Sequence, residues 1–258
     1  MISYRPYWNG TGFGDKLIAG WMVNILIDNG FTAHSGKNIV SHLLDCPTRP
    51  PANYKDRMVL LNPTIHKSSG TNIIDQKVDY LSNIVGKKLV IKTNFIPTLY
   101  KNVSNVEGVD VAICSRTGIY TPYRNWPYFE ELKKMFDKEG ITYTDMDRPG
   151  PGMRGWRNHW VLNCVHKSKL YLGLETGTSH YVSKYAAGKA LILQSGYSDF
   201  NYWAKYYDYD VLNFNVECSP CFINKFQKPC KHNHKCMYSI KPEIVFDSVK
   251  KKLLNITH

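Results

Sequence analysis

The chain has 258 residues, 43% of them hydrophobic and 13% aromatic, and its 33 Lys and Arg against 21 Asp and Glu give a formal net charge of +12. That length and apolar content exclude a disordered chain and fit one large globular domain or two small ones, and no apolar run reaches membrane-spanning length. The positive charge favours an anionic partner: nucleic acid, an acidic membrane surface or a phosphorylated substrate.

The first eight residues lack the basic-then-apolar pattern of a secretory signal, so a cytoplasmic location is expected. Residues 16–29 predict a helix, with Leu17, Ile18, Trp21, Ile25 and Leu26 mostly on one face and Asn29-Gly30 as its stop. Short strands are expected at 31–34 and 57–61, a helix at 73–85 and a buried strand at 88–91. The polar stretch 97–108 reads as a junction, dividing the chain into residues 1–105 and 106–258.

The second part continues with a strand at 109–114, a helix at 126–139 stopped by Gly140, and a strand at 141–144. A Gly/Pro loop over 148–152 precedes a helix at 156–165, a strand at 169–174, a helix at 179–187 and a strand at 190–194. A helix at 242–254, with Pro242 in its first turn, closes the chain. Strands alternating with helices imply an α/β protein with doubly wound parallel sheets.

Four segments carry candidate chemistry. Gly12, Gly14, Asp15 and Lys16 precede or open the first helix. Glycines there allow close backbone approach to a ligand, and Asp15 reads either as a first-turn acid facing the helix dipole or as a general base. Ser115, Arg116 and Thr117 follow the strand 109–114, and Arg124 lies just before Trp126-Pro127. Ligands in open α/β sheets sit beyond the carboxyl ends of strands, where planar arginine forks can clamp phosphate.

The strand 169–174 runs into Glu175, Thr176, Gly177, Thr178, Ser179 and His180. A strand–turn–helix of this kind aims backbone N–H groups at an anion, and a plain helix cap does not explain Glu175 together with His180. Late in the chain, Cys218, Cys221, Cys230 and Cys236 are spaced as reduced thiols, a disulfide or the four ligands of a structural zinc would be. Cys46, Cys114 and Cys164 read as core residues, and the pairs Asp145/Asp147 and Asp208/Asp210 as surface acids.

In this order the motifs resemble glycosyltransferase family 9, the heptosyltransferase-like enzymes of the GT-B fold. The resemblance rests on Gly12-Phe13-Gly14-Asp15-Lys16-Leu17, on residues 115–127, on 175–180, and on Cys218-Ser219-Pro220-Cys221 with Cys230, Cys236-Met237 and Ile240-Lys241-Pro242-Glu243-Ile244-Val245. It is strongest over 109–253. It implies two Rossmann-like domains facing a cleft, the N-terminal one acceptor-side and reduced in size, the C-terminal one binding a nucleotide-sugar donor.

By the same resemblance, Ser115, Arg116, Thr117, Arg124, Glu175, Thr176, Gly177, Thr178 and His180 stand at the donor, and Asp15 is the base that deprotonates an acceptor hydroxyl for inverting transfer. No cofactor is implied for the chemistry. Two departures stand out: Glu175 where the family carries Asp, and Arg124 where it more often carries Lys. The acceptor is expected to be anionic, either a phosphorylated bacterial surface glycan of lipopolysaccharide or capsule, or a hydroxymethylated base in phage DNA. A non-catalytic nucleotide- or sugar-binding protein is the third reading. Peripheral contact with a membrane is compatible with the basic surface.

Overall fold

The computed structural model describes residues 1–7, 13–36, 46–61, 72–92, 107–117, 122–147, 157–185, 189–198, 202, 205–221 and 230–256. Gly12, most of the expected junction and the 148–152 loop lie outside them. The chain forms two compact units, one of residues 1–100 with 201–207, the other of residues 101–200 with 208–258. No sequence motif signals the return of 201–207 to the first unit.

In the first unit, β1 (Ile2–Tyr7) pairs in parallel with β2 (Lys55–Leu60), with Ile2 opposite Lys55 and Tyr7 opposite Leu60. Strand β1 was not expected, because Arg5 and Pro6 break its apolar pattern; nevertheless Ser3, Tyr4 and Pro6 are buried. Helix α1 (Phe13–Asp28) therefore does follow a strand. Leu17, Ile18, Trp21, Met22, Ile25 and Leu26 are all buried, so α1 is apolar around most of its circumference.

Helix α2 (Ile73–Val85) matches its expected bounds. The side chain of Asn72 caps it by accepting from the amides of Ile74 and Asp75, and Gly86 closes it in the left-handed region at φ 68°. Two expected strands are absent. Residues 31–34 contribute only an isolated bridge between Tyr4 and Ala33. Residues 88–91 are extended without a strand partner, because Asn29 takes that place: its amide donates to the Val90 carbonyl at 2.8 Å and accepts from the Val90 amide at 3.0 Å.

The second unit is a five-stranded, wholly parallel sheet. Its strands are β3 (Val109–Cys114), β4 (Tyr143–Asp145), β5 (Ser168–Leu174), β6 (Ala190–Leu193) and β7 (Asp210–Leu212), in the order β4-β3-β5-β6-β7. Strand β7 was not expected; it is a three-residue edge strand with no residue fully buried. The chain winds outward from β3 in both directions, so strand order reverses between β3 and β5. The helices are α3 (Phe129–Glu139), α4 (Arg157–Lys167), α5 (Gly177–Tyr185), the short α6 (Lys235–Tyr238) and α7 (Pro242–Ile256).

Helices α3 and α7 pack on each other, and α7 lies against β5. Their core joins Val111, Ile113, Leu172, Leu174, Phe136 and Val249. Trp126 locks the entry to α7 by donating its indole N–H to the Ile240 carbonyl at 2.7 Å. Strand β5 is central and buried along its last five residues, as a parallel strand covered on both faces should be.

Gly173 in β5 is required by close approach: a Cβ there would collide with the phenol ring of Tyr171, which is itself buried. Gly173→Ala is expected to lower stability by roughly 1–3 kcal/mol through overpacking, read as a lower urea midpoint at unchanged slope. An unchanged midpoint would show that the ring has space to move.

Candidate functional site

The reversal between β3 and β5 places their carboxyl ends side by side, with Cys114 opposite Gly173 in the register. This topological switch point is where an open α/β sheet leaves a crevice for a ligand. Beyond β3 come Ser115, Arg116 and Thr117; beyond β5 come Glu175 and the first turn of α5. Cys114 and Thr176 meet across the junction, Sγ to Oγ1 at 3.7 Å.

The turn at α5 is built by its own hydroxyls. The Thr178 amide donates to Thr176 Oγ1 at 3.3 Å, and Ser179 Oγ donates to the Thr176 carbonyl at 2.6 Å while accepting from the Thr176 amide at 3.1 Å. Thr176 is thus the cap, which leaves the N-terminus of α5 ordered at the sheet edge, where its dipole favours an anion.

Arg124, at the end of a single 3-10 turn over Pro122–Arg124, reaches this turn from the β3 side. Its Nη1 donates to the Glu175 carbonyl at 3.2 Å and lies 3.6 Å from the Glu175 carboxylate. The guanidinium also stacks over the Tyr197 ring at 4.8 Å from its centre. Glu175 is only 5% exposed. Its Oε1 accepts from Ser198 Oγ at 2.9 Å. His180 is 7% exposed. Burial first, then the nearby charge of Arg124, lower its pKa to about 4, so the imidazole is neutral at pH 7.

Arg124, Glu175, Thr176 and His180 therefore gather at the switch point, Glu175 and His180 buried and Arg124 and Thr176 partly so. Tyr197 and Ser198, on the loop after β6, complete the group. Sequence reasoning missed both, although Gly196 ahead of them marks a turn at a strand end.

The other residues expected here are placed differently. Ser115 Oγ donates to both carboxylate oxygens of Asp145, at 3.0 and 3.1 Å. The Arg116 amide donates to Asp147 at 2.9 Å, and the Arg116 side chain is exposed. Thr117 binds Asn125 Oδ1 through its amide at 2.8 Å and its hydroxyl at 3.0 Å. Asp145 is not the surface acid expected: it is paired at 2.6 Å with Lys133, each side chain 8% exposed. It ties α3 to the loop beyond β3.

In the first unit, Asp15 is a half-buried acid in the first turn of α1, Gly14 is buried and Lys16 is exposed. The four late cysteines form no disulfide. The Cys221 amide donates to the Gly196 carbonyl at 3.0 Å, and a Cβ on Gly196 would lie 3.2 Å from Cys236 Cβ. The Cys236 thiol is pushed up first by burial and also by Cys230 and Cys218. These cysteines gather behind the loop that carries Tyr197 and Ser198. Among the described residues, no three His, Cys, Asp or Glu side chains stand close enough to hold a metal ion. No described helix is long and apolar enough to cross a membrane.

Solved structures resemble the chain along its whole length. The iron-containing dodecameric glycosyltransferase TibC from enterotoxigenic E. coli H10407 matches with a TM-score of 0.67 at 11% identity, over 99% of this chain and 76% of that one. The E. coli ADP-heptose lipopolysaccharide heptosyltransferase II matches at 0.63 with 10% identity, over 100% of both chains. This is the GT-B fold of the heptosyltransferase-type glycosyltransferases. A family 9 glycosyltransferase from Veillonella parvula DSM 2008 shares it at 0.59 with 11% identity, over 98% of this chain and 97% of its own. Neither a protein-family model nor the sequence of a curated protein matches the chain. At such low identity the GT-B likeness is one of backbone.

Proposed function

We propose that the protein is a nucleotide-sugar-dependent glycosyltransferase that transfers a sugar with inversion to a hydroxyl on an anionic acceptor. The observation that supports this most is the largely buried group of Arg124, Glu175, Thr176 and His180 at the switch point of a heptosyltransferase-like fold. A leaving nucleoside diphosphate develops negative charge, and the Arg124 guanidinium with the positive end of the α5 dipole offsets it. Neutral His180 supplies a ring N–H beside them. Asp15 is the proposed base. Inverting transfer by direct attack needs one such base and no covalent intermediate.

TibC has also been solved with ADP-D-β-D-heptose, which makes ADP-heptose the first donor to test. It is expected to raise the melting temperature where ADP-free sugar does not, because a ligand that binds only the folded state stabilises it by mass action. No shift with ADP-heptose, ADP or a uridine diphosphate sugar would remove the donor assignment. A phosphorylated lipopolysaccharide-type glycan is the proposed acceptor. Salt-dependent binding of duplex DNA, with none to the glycan, would move it to a modified base instead.

The four late cysteines are the proposed holders of one structural metal, zinc or the iron of iron-containing TibC, but no three of them stand close enough for one in this structure, so binding would have to draw them together. Thiolates are ligands suited to either metal. The metal's contribution would be to cross-link the Gly196 turn to the segment carrying α6. Elemental analysis of the purified protein is expected to find about one such ion per chain, lost in Cys218→Ser together with thermal stability. Metal-free protein of full stability would leave them as plain thiols.

A further inference from the structure

Lys77 is fully buried, at 0% exposure. It interrupts the seam of α2 that buries Ile73, Ile74, Val78 and Leu81. An ammonium in such a seam is costly unless paired, and a lysine there is a flag for function. Its Nζ donates to the Leu61 carbonyl, immediately past the end of β2. Because Tyr7 and Leu60 are register partners in a parallel pair, the ammonium stands at the carboxyl edge of the sheet. Asp15 lies in the first turn of α1, the helix that follows β1. The two charges attract: burial lowers the Lys77 pKa to about 8, and Asp15 is the charged group that acts to raise it. Lys16, the cation next to Asp15 in sequence, points to solvent.

We propose that Lys77 is the positioning residue for Asp15, a buried cation anchored on the Leu61 carbonyl that holds the carboxylate ionised and turned toward the carboxyl edge of the first unit's sheet. This rests on the reading of Asp15 as the base. The attraction is mutual, so the ammonium favours the charged, proton-accepting form of Asp15 as much as the carboxylate favours the ammonium. Lys77 touches no substrate in this role. It fixes the form and direction of the group that does.

The test uses the full-length protein and NMR of isotope-labelled aspartate, with the Asp15 carboxyl signal identified by its loss in Asp15→Asn. In Lys77→Met, which keeps the length and removes the charge, the Asp15 midpoint is expected to rise by about one pH unit; Lys77→Arg should restore it. A folded Lys77→Met protein with an unmoved midpoint overturns the proposal. Should Lys77→Met fail to fold, labelled lysine gives the reciprocal measurement. The Lys77 midpoint should fall below its wild-type value in Asp15→Asn, and an unmoved one is equally decisive against the proposal. Neither readout requires turnover. Sugar transfer by Asp15→Asn separately tests the base reading, and full activity there would sink that reading while leaving the charge coupling measurable.

Discussion

Arg124→Ala is expected to abolish donor-induced thermal stabilisation and to lower transfer by about a hundred- to a thousand-fold, the usual cost of losing one preset donor to a developing charge. Two effects are combined in that variant. The guanidinium is lost to the proposed diphosphate, and Glu175, 5% exposed, keeps Ser198 but loses the Arg124 cation. The second effect destabilises the fold by itself, since removing one partner of a buried pair leaves a buried charge poorly compensated. Arg124→Lys separates them. It retains the charge and loses the planar fork and the stacking on Tyr197. If Arg124 serves the diphosphate mainly as a charge, Lys preserves most donor binding. If its role is only to neutralise Glu175, donor binding survives in both variants once stability is matched, and the assignment fails.

His180 gives the same substitution an internal readout. Its pKa falls from the ordinary 6.5 to about 4, burial being the larger cause and Arg124 the smaller. As pH drops, the unfolded chain therefore takes up this proton before the folded one. The stability that neutral His180 contributes is complete above pH 6.5 and is lost progressively toward pH 4. The amount is on the order of 3 kcal/mol for a shift of that size. Removing Arg124 should raise the His180 midpoint part of the way back, because burial remains. A midpoint that does not move would mean that the two side chains are not coupled.

The sequence made the second unit legible because its signals were local and redundant. Strand β3, helix α3 with its Gly140 stop, and α7 opening on Pro242 each carry pattern, cap and breaker in agreement. Glu175 and His180 could be singled out because a cap alone did not need them. The misses share one physical cause: contacts made across long sequence distances. Strand β1 is stabilised by pairing with β2 despite Arg5 and Pro6. Residues 88–91 are apolar like a strand, yet their hydrogen bonds go to the Asn29 side chain, which no periodicity reveals. Asp145 looked like a surface acid until Lys133 and Ser115 were seen to close on it. Tyr197 and Ser198 join Arg124 and Glu175 only because β6 lies next to β5 in the sheet.

Asp15→Asn is expected to lower transfer by about a hundred- to ten-thousand-fold, the range typical of losing a general base, while donor-induced stabilisation stays intact. The separation follows from placement. Every residue assigned to the donor belongs to the second unit, whereas Asp15 belongs to the first and opens α1. Asparagine keeps the shape and the capacity to accept a hydrogen bond but cannot take the proton of an attacking hydroxyl. A pure helix-dipole role for Asp15 makes a different prediction: loss of a first-turn charge costs about 0.3–1 kcal/mol of stability and leaves the rate of the folded protein alone. The transfer rate of the folded protein therefore distinguishes the two. A slow enzyme that keeps its donor-induced stabilisation identifies the base, whatever stability is lost with the charge partner of buried Lys77, and an enzyme at full rate returns Asp15 to the helix dipole.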